Sequence, residues 1–137
     1  MSAKMNLPDG VTTRMILVRH GEPVETAKGR CYGKLDVGLS ADGTRQIEQT
    51  RDFLQNLEFV AVYTSPRQRA VESAKIIARD KQISFVISEN LAEIDFGDFE
   101  GKTYAELEIE FPEIFKKCAK IIRFTPPCET KVIVSRS

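Results

Sequence analysis

Thr13-Arg14-Met15-Ile16-Leu17-Val18-Arg19-His20-Gly21 decides how this chain is read. Thr13 to Val18 is short, apolar and rich in branched residues, the mark of a buried strand. It runs straight into a cation, the chain's single histidine and a glycine. In open α/β sheets, ligands bind beyond the carboxyl ends of the strands. A buried strand that ends in polar residues therefore marks a place to look for chemistry.

Working outward, the same alternation repeats. Gly21 to Leu39 reads as a loop, and Ser40 can cap a helix over about Ala41 to Leu57, with Ile47, Leu54 and Leu57 near one face. Phe59 to Tyr63 is a second buried strand. Ser65-Pro66 opens a second helix, serine as cap and proline at the first helical position, with Ala70, Ala74, Ile77 and Ala78 as its apolar stripe. Ile83 to Ile87 is a third strand, and Leu91 to Gly101 a loop. Thr103-Tyr104-Ala105-Glu106 has the pattern of a capping box, so a helix starts there. Pro112 interrupts it, and a further helical stretch runs to about Ile122. Thr125-Pro126-Pro127 breaks the chain, and Lys131 to Ser135 forms a last strand. Strands alternating with helices predict an α/β domain, a three-layer α-β-α arrangement with a mostly parallel sheet. Residues 1–12, with the turn Leu7-Pro8-Asp9-Gly10, are expected to be a flexible tail, and residues 13–137 a single domain.

Bulk properties narrow the function. A chain of 137 residues with 42% hydrophobic content suffices for one domain with a core. Twenty basic residues balance twenty acidic ones, which argues against a general nucleic-acid partner. The longest apolar runs, Met15 to Val18 and Phe59 to Tyr63, fall far short of the roughly 20 residues that span a bilayer. The first ten residues lack a secretory apolar core. The expectation is a soluble cytoplasmic protein. Cys31, Cys118 and Cys128 are odd in number and widely spaced, which reads as free thiols rather than a disulfide framework. With one histidine to assist them, they do not make a zinc site, and no metal or cofactor is expected.

Three segments can carry chemistry. A lone histidine is more often structural, but Arg19 beside His20 adds fixed positive charge that favours the neutral imidazole. A neutral imidazole has a lone pair able to attack phosphorus. Ser65-Pro66-Arg67-Gln68-Arg69-Ala70 puts two arginines at a helix N-terminus, where N–H groups and the dipole favour anions. Each arginine also has the plain reading of a solvated surface cation. Leu91 to Gly101 holds four carboxylates, Glu93, Asp95, Asp98 and Glu100. One of them could protonate a leaving alkoxide, and the residues alone do not choose among the four.

Leu17-Val18-Arg19-His20-Gly21-Glu22 resembles the signature of the histidine phosphatase superfamily, the phosphoglycerate mutase-like fold. Arg30 to Ser40 resembles the family's next segment, Tyr63-Thr64-Ser65-Pro66 with Arg69-Ala70 its second motif, and Leu91 to Gly101 its third. These stretches follow the family's order over about residues 14–112. The resemblance implies a phosphoric monoester hydrolase acting on a small phosphorylated substrate. His20 would be the nucleophile and form a phosphohistidine, Arg19 and Arg69 would hold the phosphoryl oxygens, and Glu93 would be the proton donor. The wording of Phe96 to Gly101 is closer to the phosphatase branches than to the glycolytic mutases. Arg30 to Ser40 is similar to the alpha-ribazole and broad-specificity phosphatases.

Two departures qualify this picture. Thr26 stands where the family has an asparagine that contacts phosphate, and its hydroxyl can still donate one hydrogen bond. The family's second histidine, on a late strand, has no counterpart, and Arg136 stands where it is expected. The helix that should precede that strand is also missing. The chain is thus expected to lack part of the C-terminal region, through deletion, truncation or a shifted reading frame. One sheet face would then be poorly covered, and exposed apolar surface invites self-association into a homo-oligomer. The alternatives to an active enzyme are a catalytically impaired binder of phosphorylated ligands and a truncated fragment.

Overall fold

A computed structural model describes residues 9–83, 85–122 and 131–136. Most of the expected tail, residues 1–8, and the break at Thr125 to Pro127 lie outside the described residues. Among the described residues, eight regular elements follow one another: β1 (Arg14–Arg19), α1 (Ala41–Leu54), β2 (Ala61–Thr64), α2 (Gln68–Ala78), β3 (Phe85–Ile87), α3 (Tyr104–Glu110), α4 (Pro112–Ile122) and β4 (Lys131–Arg136). Short 3₁₀ turns lie at Glu25–Ala27, Glu89–Leu91 and Gly97–Phe99. No helix among the described residues is long and apolar enough to cross a membrane.

The local signals explain these elements. Ser40 caps α1 by accepting a hydrogen bond from the Gly43 N–H at 2.9 Å. Thr103 and Glu106 form the reciprocal capping box that starts α3. Ile47 and Leu54 of α1, and Ala70, Ala74, Ile77 and Ala78 of α2, are buried. α1 packs on α2, and α2 packs on β2 and β3. Val18, Val62, Leu57 and Phe59 complete this core. Helix α2 begins two residues later than its sequence implies. Ser65 Oγ accepts from the Arg67 N–H at 3.2 Å and holds Ser65 and Pro66 in a turn, so that Arg67 becomes the cap residue.

The fold is α/β, with strand order β1-β4-β2-β3. β2 and β3 pair in parallel, and β4 pairs antiparallel with both β1 and β2. Hence β1, β2 and β3 all point the same way, and only β4 opposes them. Their carboxyl ends line one edge, from which His20, Ser65 to Arg69 and the approach to Glu93 all leave.

The direction of β4 corrects one expectation. Arg136 is the Cα partner of Arg14, and Lys131 that of Arg19. Arg136 therefore lies at the end of β1 remote from His20, roughly 20 Å along the strand at about 3.3 Å per residue. It does not stand beside His20. An apolar strand pattern reads the same in both directions, so it fixes the element and not its sense.

The sheet faces differ. Ile16, Val18, Val62 and Thr64 point toward α1 and α2, while Met15, Leu17, Tyr63 and Val86 are exposed on the other side. Helices α3 and α4 pack on each other, with the Phe99 and Phe111 rings 5.0 Å apart.

Candidate active site

His20 is the first residue past β1 and is only 8% exposed. Its Nδ1 lies 2.7 Å from the Gly21 carbonyl oxygen. A carbonyl can only accept, so Nδ1 carries the hydrogen, and the neutral ring has its lone pair on Nε2. The backbone thus selects the tautomer. The Gly21 N–H donates to Ser73 Oγ at 3.3 Å, and that hydroxyl donates to the Arg69 carbonyl at 2.8 Å. This links the His20 loop to the first turns of α2. Gly21 must be glycine, because a Cβ there would run into the Gly43 backbone at the start of α1.

Arg69 is fully buried. Its guanidinium donates to the carbonyls of Leu35 (3.1 Å) and Gly33 (3.2 Å) and lies over the Tyr32 ring, 4.9 Å from the centroid. Tyr32 is also a neighbour of His20, with ring centroids 6.4 Å apart. Burial pulls the Arg69 pKa down, and the charges of Tyr32, Asp36 and Glu93 work against that pull while Arg67 adds to it. Arginine remains a cation under such shifts. His20, Tyr32 and Arg69 therefore form one connected cluster at the carboxyl edge of the sheet, and Glu93 acts on Arg69 through its charge.

The four acids of loop 91–101 now separate. Glu100 accepts hydrogen bonds from the N–H groups of Gly33, Lys34, Leu35 and Phe96, at 2.7 to 3.1 Å. Burial pushes this carboxyl up, but the N–H donors outweigh it and its pKa falls below the ordinary value. Asp95 is exposed and accepts from the Gly97 N–H at 2.9 Å. That bond, followed by its bond to Lys34, holds its pKa down. Asp98 is exposed. Glu93 is the buried member, 8% exposed, and its Oε1 accepts from the Ile94 N–H at 3.0 Å.

Two other site residues are placed differently. Arg19 and Thr26 are exposed, the latter on the turn Glu25–Ala27. The N-terminus of α2 is not an open anion site. Asp36 Oδ1 accepts from the Gln68 N–H at 2.6 Å, and the Val37 carbonyl accepts from the Arg69 N–H at 3.1 Å. The chain's own carboxylate takes the position that the helix offers to an anion. Sequence reasoning missed the parts played by Asp36, Tyr32 and Glu100. Their partners lie some 30 to 70 residues away in the chain, and no local pattern announces such contacts. Among the described residues, no group of three or more His, Cys, Asp or Glu side chains is placed to hold a metal ion. Cys31 is half-buried.

This fold is that of a known class. The profile of the histidine phosphatase superfamily (branch 1) matches residues 15–129, and the chain belongs to that family. It is 34% identical over 101 residues to the uncharacterised phosphatase PhoE of Bacillus subtilis, covering 74% of this chain and 52% of the relative. The structure is similar to that of YhfR from Bacillus stearothermophilus, with TM-score 0.73 and 30% identity, covering 85% of this chain and 58% of that one. It is also similar to the alpha-ribazole phosphatase of Shigella flexneri, with TM-score 0.69 and 25% identity, covering 85% and 59%. The chain spans about half the length of these relatives.

Proposed function

We propose that this chain is a phosphatase that hydrolyses a small phosphomonoester through a phosphohistidine on His20. The observation that carries this reading is the hydrogen bond from His20 Nδ1 to the Gly21 carbonyl, which supports an imidazole lone pair on Nε2 beside Tyr32 and Arg69. In the first step, Nε2 bonds to phosphorus as the ester P–O bond breaks, and the Glu93 carboxyl gives its proton to the leaving alkoxide. In the second, water attacks phosphorus and loses a proton to the Glu93 carboxylate. The N–P bond then breaks, inorganic phosphate leaves, and both groups return to their starting states. Glu93 is assigned the proton-donor role because it is the buried acid of the loop, whereas Glu100 is committed to four N–H donors and Asp95 and Asp98 are exposed. Arg69 supplies positive charge to the phosphoryl oxygens, with Arg19 and Thr26 at the margin. Preorganised donors of this kind contribute about a hundred- to a thousand-fold each in rate.

Turnover of an aryl phosphate tests the proposal, with His20→Ala as the control. Equal rates for the two proteins would end it. One observation favours a second reading, a binder that turns phosphorylated ligands over poorly: β4 carries Arg136 to the far end of the sheet from His20. Under that reading the wild type binds vanadate but gives no product above the His20→Ala background.

A further inference from the structure

The proposed reaction needs donors for the phosphoryl oxygens, and several groups that could supply them are already engaged. The Gln68 N–H at the head of α2 is bonded to Asp36, the Arg69 N–H to Val37 and the Ala70 N–H to the Arg67 carbonyl. Two terminal nitrogens of Arg69 are bonded to the Gly33 and Leu35 carbonyls. Arg19 is exposed at the end of β1.

Arg67 is different. It is the cap residue of α2, with extended backbone and no side-chain capping bond. Its Nε is buried and has no hydrogen-bond partner among the described residues. A buried guanidinium nitrogen without an acceptor is costly and calls for an explanation. Lys34, on the same rim, is paired with Asp95 at 3.3 Å. Arg67 lies two residues before buried Arg69 at the head of α2. It follows β2 at the carboxyl edge of the sheet, as His20 follows β1.

We propose that Arg67 is a phosphoryl-binding residue, whose half-buried guanidinium, with its unpaired Nε, receives the oxygens of the phosphorylated ligand. The inference rests on the phosphatase reading for the identity of the ligand, but it concerns binding rather than turnover. Arginine presents planar paired donors that match a phosphoryl group, whereas lysine offers a point charge.

The test is titration calorimetry of the full chain with inorganic phosphate and with vanadate, on wild type, Arg67→Gln and Arg67→Lys. Arg67→Gln is expected to weaken phosphate binding about ten- to a hundred-fold, the range for loss of a charged hydrogen-bond donor. Arg67→Lys is expected to fall between the two. The thermal midpoint of Arg67→Gln should match wild type, since no cap bond is lost. An unchanged dissociation constant in Arg67→Gln overturns the inference, and so does absence of phosphate binding by the wild type at tens of millimolar. If Arg67→Gln fails to fold, Arg67→Lys decides, and wild-type affinity in that variant overturns it. Turnover that is lost together with His20 but unaffected at Arg67 sinks this inference and leaves the phosphatase reading intact. Arg67-dependent phosphate binding without turnover does the reverse.

Discussion

Glu100→Gln replaces the carboxylate that gathers the backbone N–H groups of residues 33–35 onto loop 91–101. In the wild type, Oε1 accepts from Gly33, Lys34 and Phe96, and Oε2 from Gly33 and Leu35. Glutamine retains one acceptor oxygen and turns an NH₂ group toward the remaining donors. The Leu35 N–H or its counterparts then face a donor, and every surviving bond loses its charge assistance. An orphaned N–H costs about 1–3 kcal/mol, with less where water reaches it, and half-buried Glu100 is such a place. With the weakened bonds included, the expected loss is about 2–4 kcal/mol, or roughly 10 °C in thermal midpoint for a chain of this size. The damage should also reach the site, because the carbonyls of Gly33 and Leu35 hold the Arg69 guanidinium. The pH dependence has a definite sign. The folded-state pKa of Glu100 lies below its ordinary 4.5, so its contribution is complete above that value and is lost as pH falls through the lower folded value. Urea unfolding of both proteins from pH 7 to pH 3 measures this. The gap should be widest at neutral pH and should close below 4.5. Equal stability at pH 7, or a gap that persists unchanged to pH 3, would refute the assignment.

Two further outcomes follow from the same geometry. Glu93→Gln should lower kcat on an alkyl phosphate by about a hundred- to ten-thousand-fold, and by much less on an aryl phosphate whose leaving group needs no proton. Equal losses on the two substrates would remove Glu93 from the proton-donor role. Thr103→Ala should cost about 1 kcal/mol by opening the capping box of α3, read as a lower denaturation midpoint. A midpoint unchanged from wild type would show that α3 is held by its packing alone.

The parts of the fold that could be read from sequence were those with local causes. The strand Arg14–Arg19 follows from its apolar run, α3 from the Thr103 and Glu106 pair three residues apart, and α1 from Ser40 as its cap. Where distant residues decide, the reading failed or stayed open. Helix α2 begins at Gln68 rather than Pro66, in a turn held by Ser65, and Asp36 takes the first N–H of the helix. The direction of β4 depends on its pairing with β1 and β2, which an apolar pattern does not encode. Four acids in one loop look equivalent in sequence. They become distinct only when Gly33, Lys34 and Leu35 close over Glu100 and leave Glu93 buried near Arg69.

The central claim is that His20 carries the phosphoryl group. Rapid mixing with a ³²P-labelled monoester, an alkaline quench and peptide mapping test it most directly. The account predicts an acid-labile, base-stable label on the peptide that contains His20, formed within one turnover and absent from His20→Ala. Hydrolysis without label on that peptide, or a label that survives in His20→Ala, would contradict it.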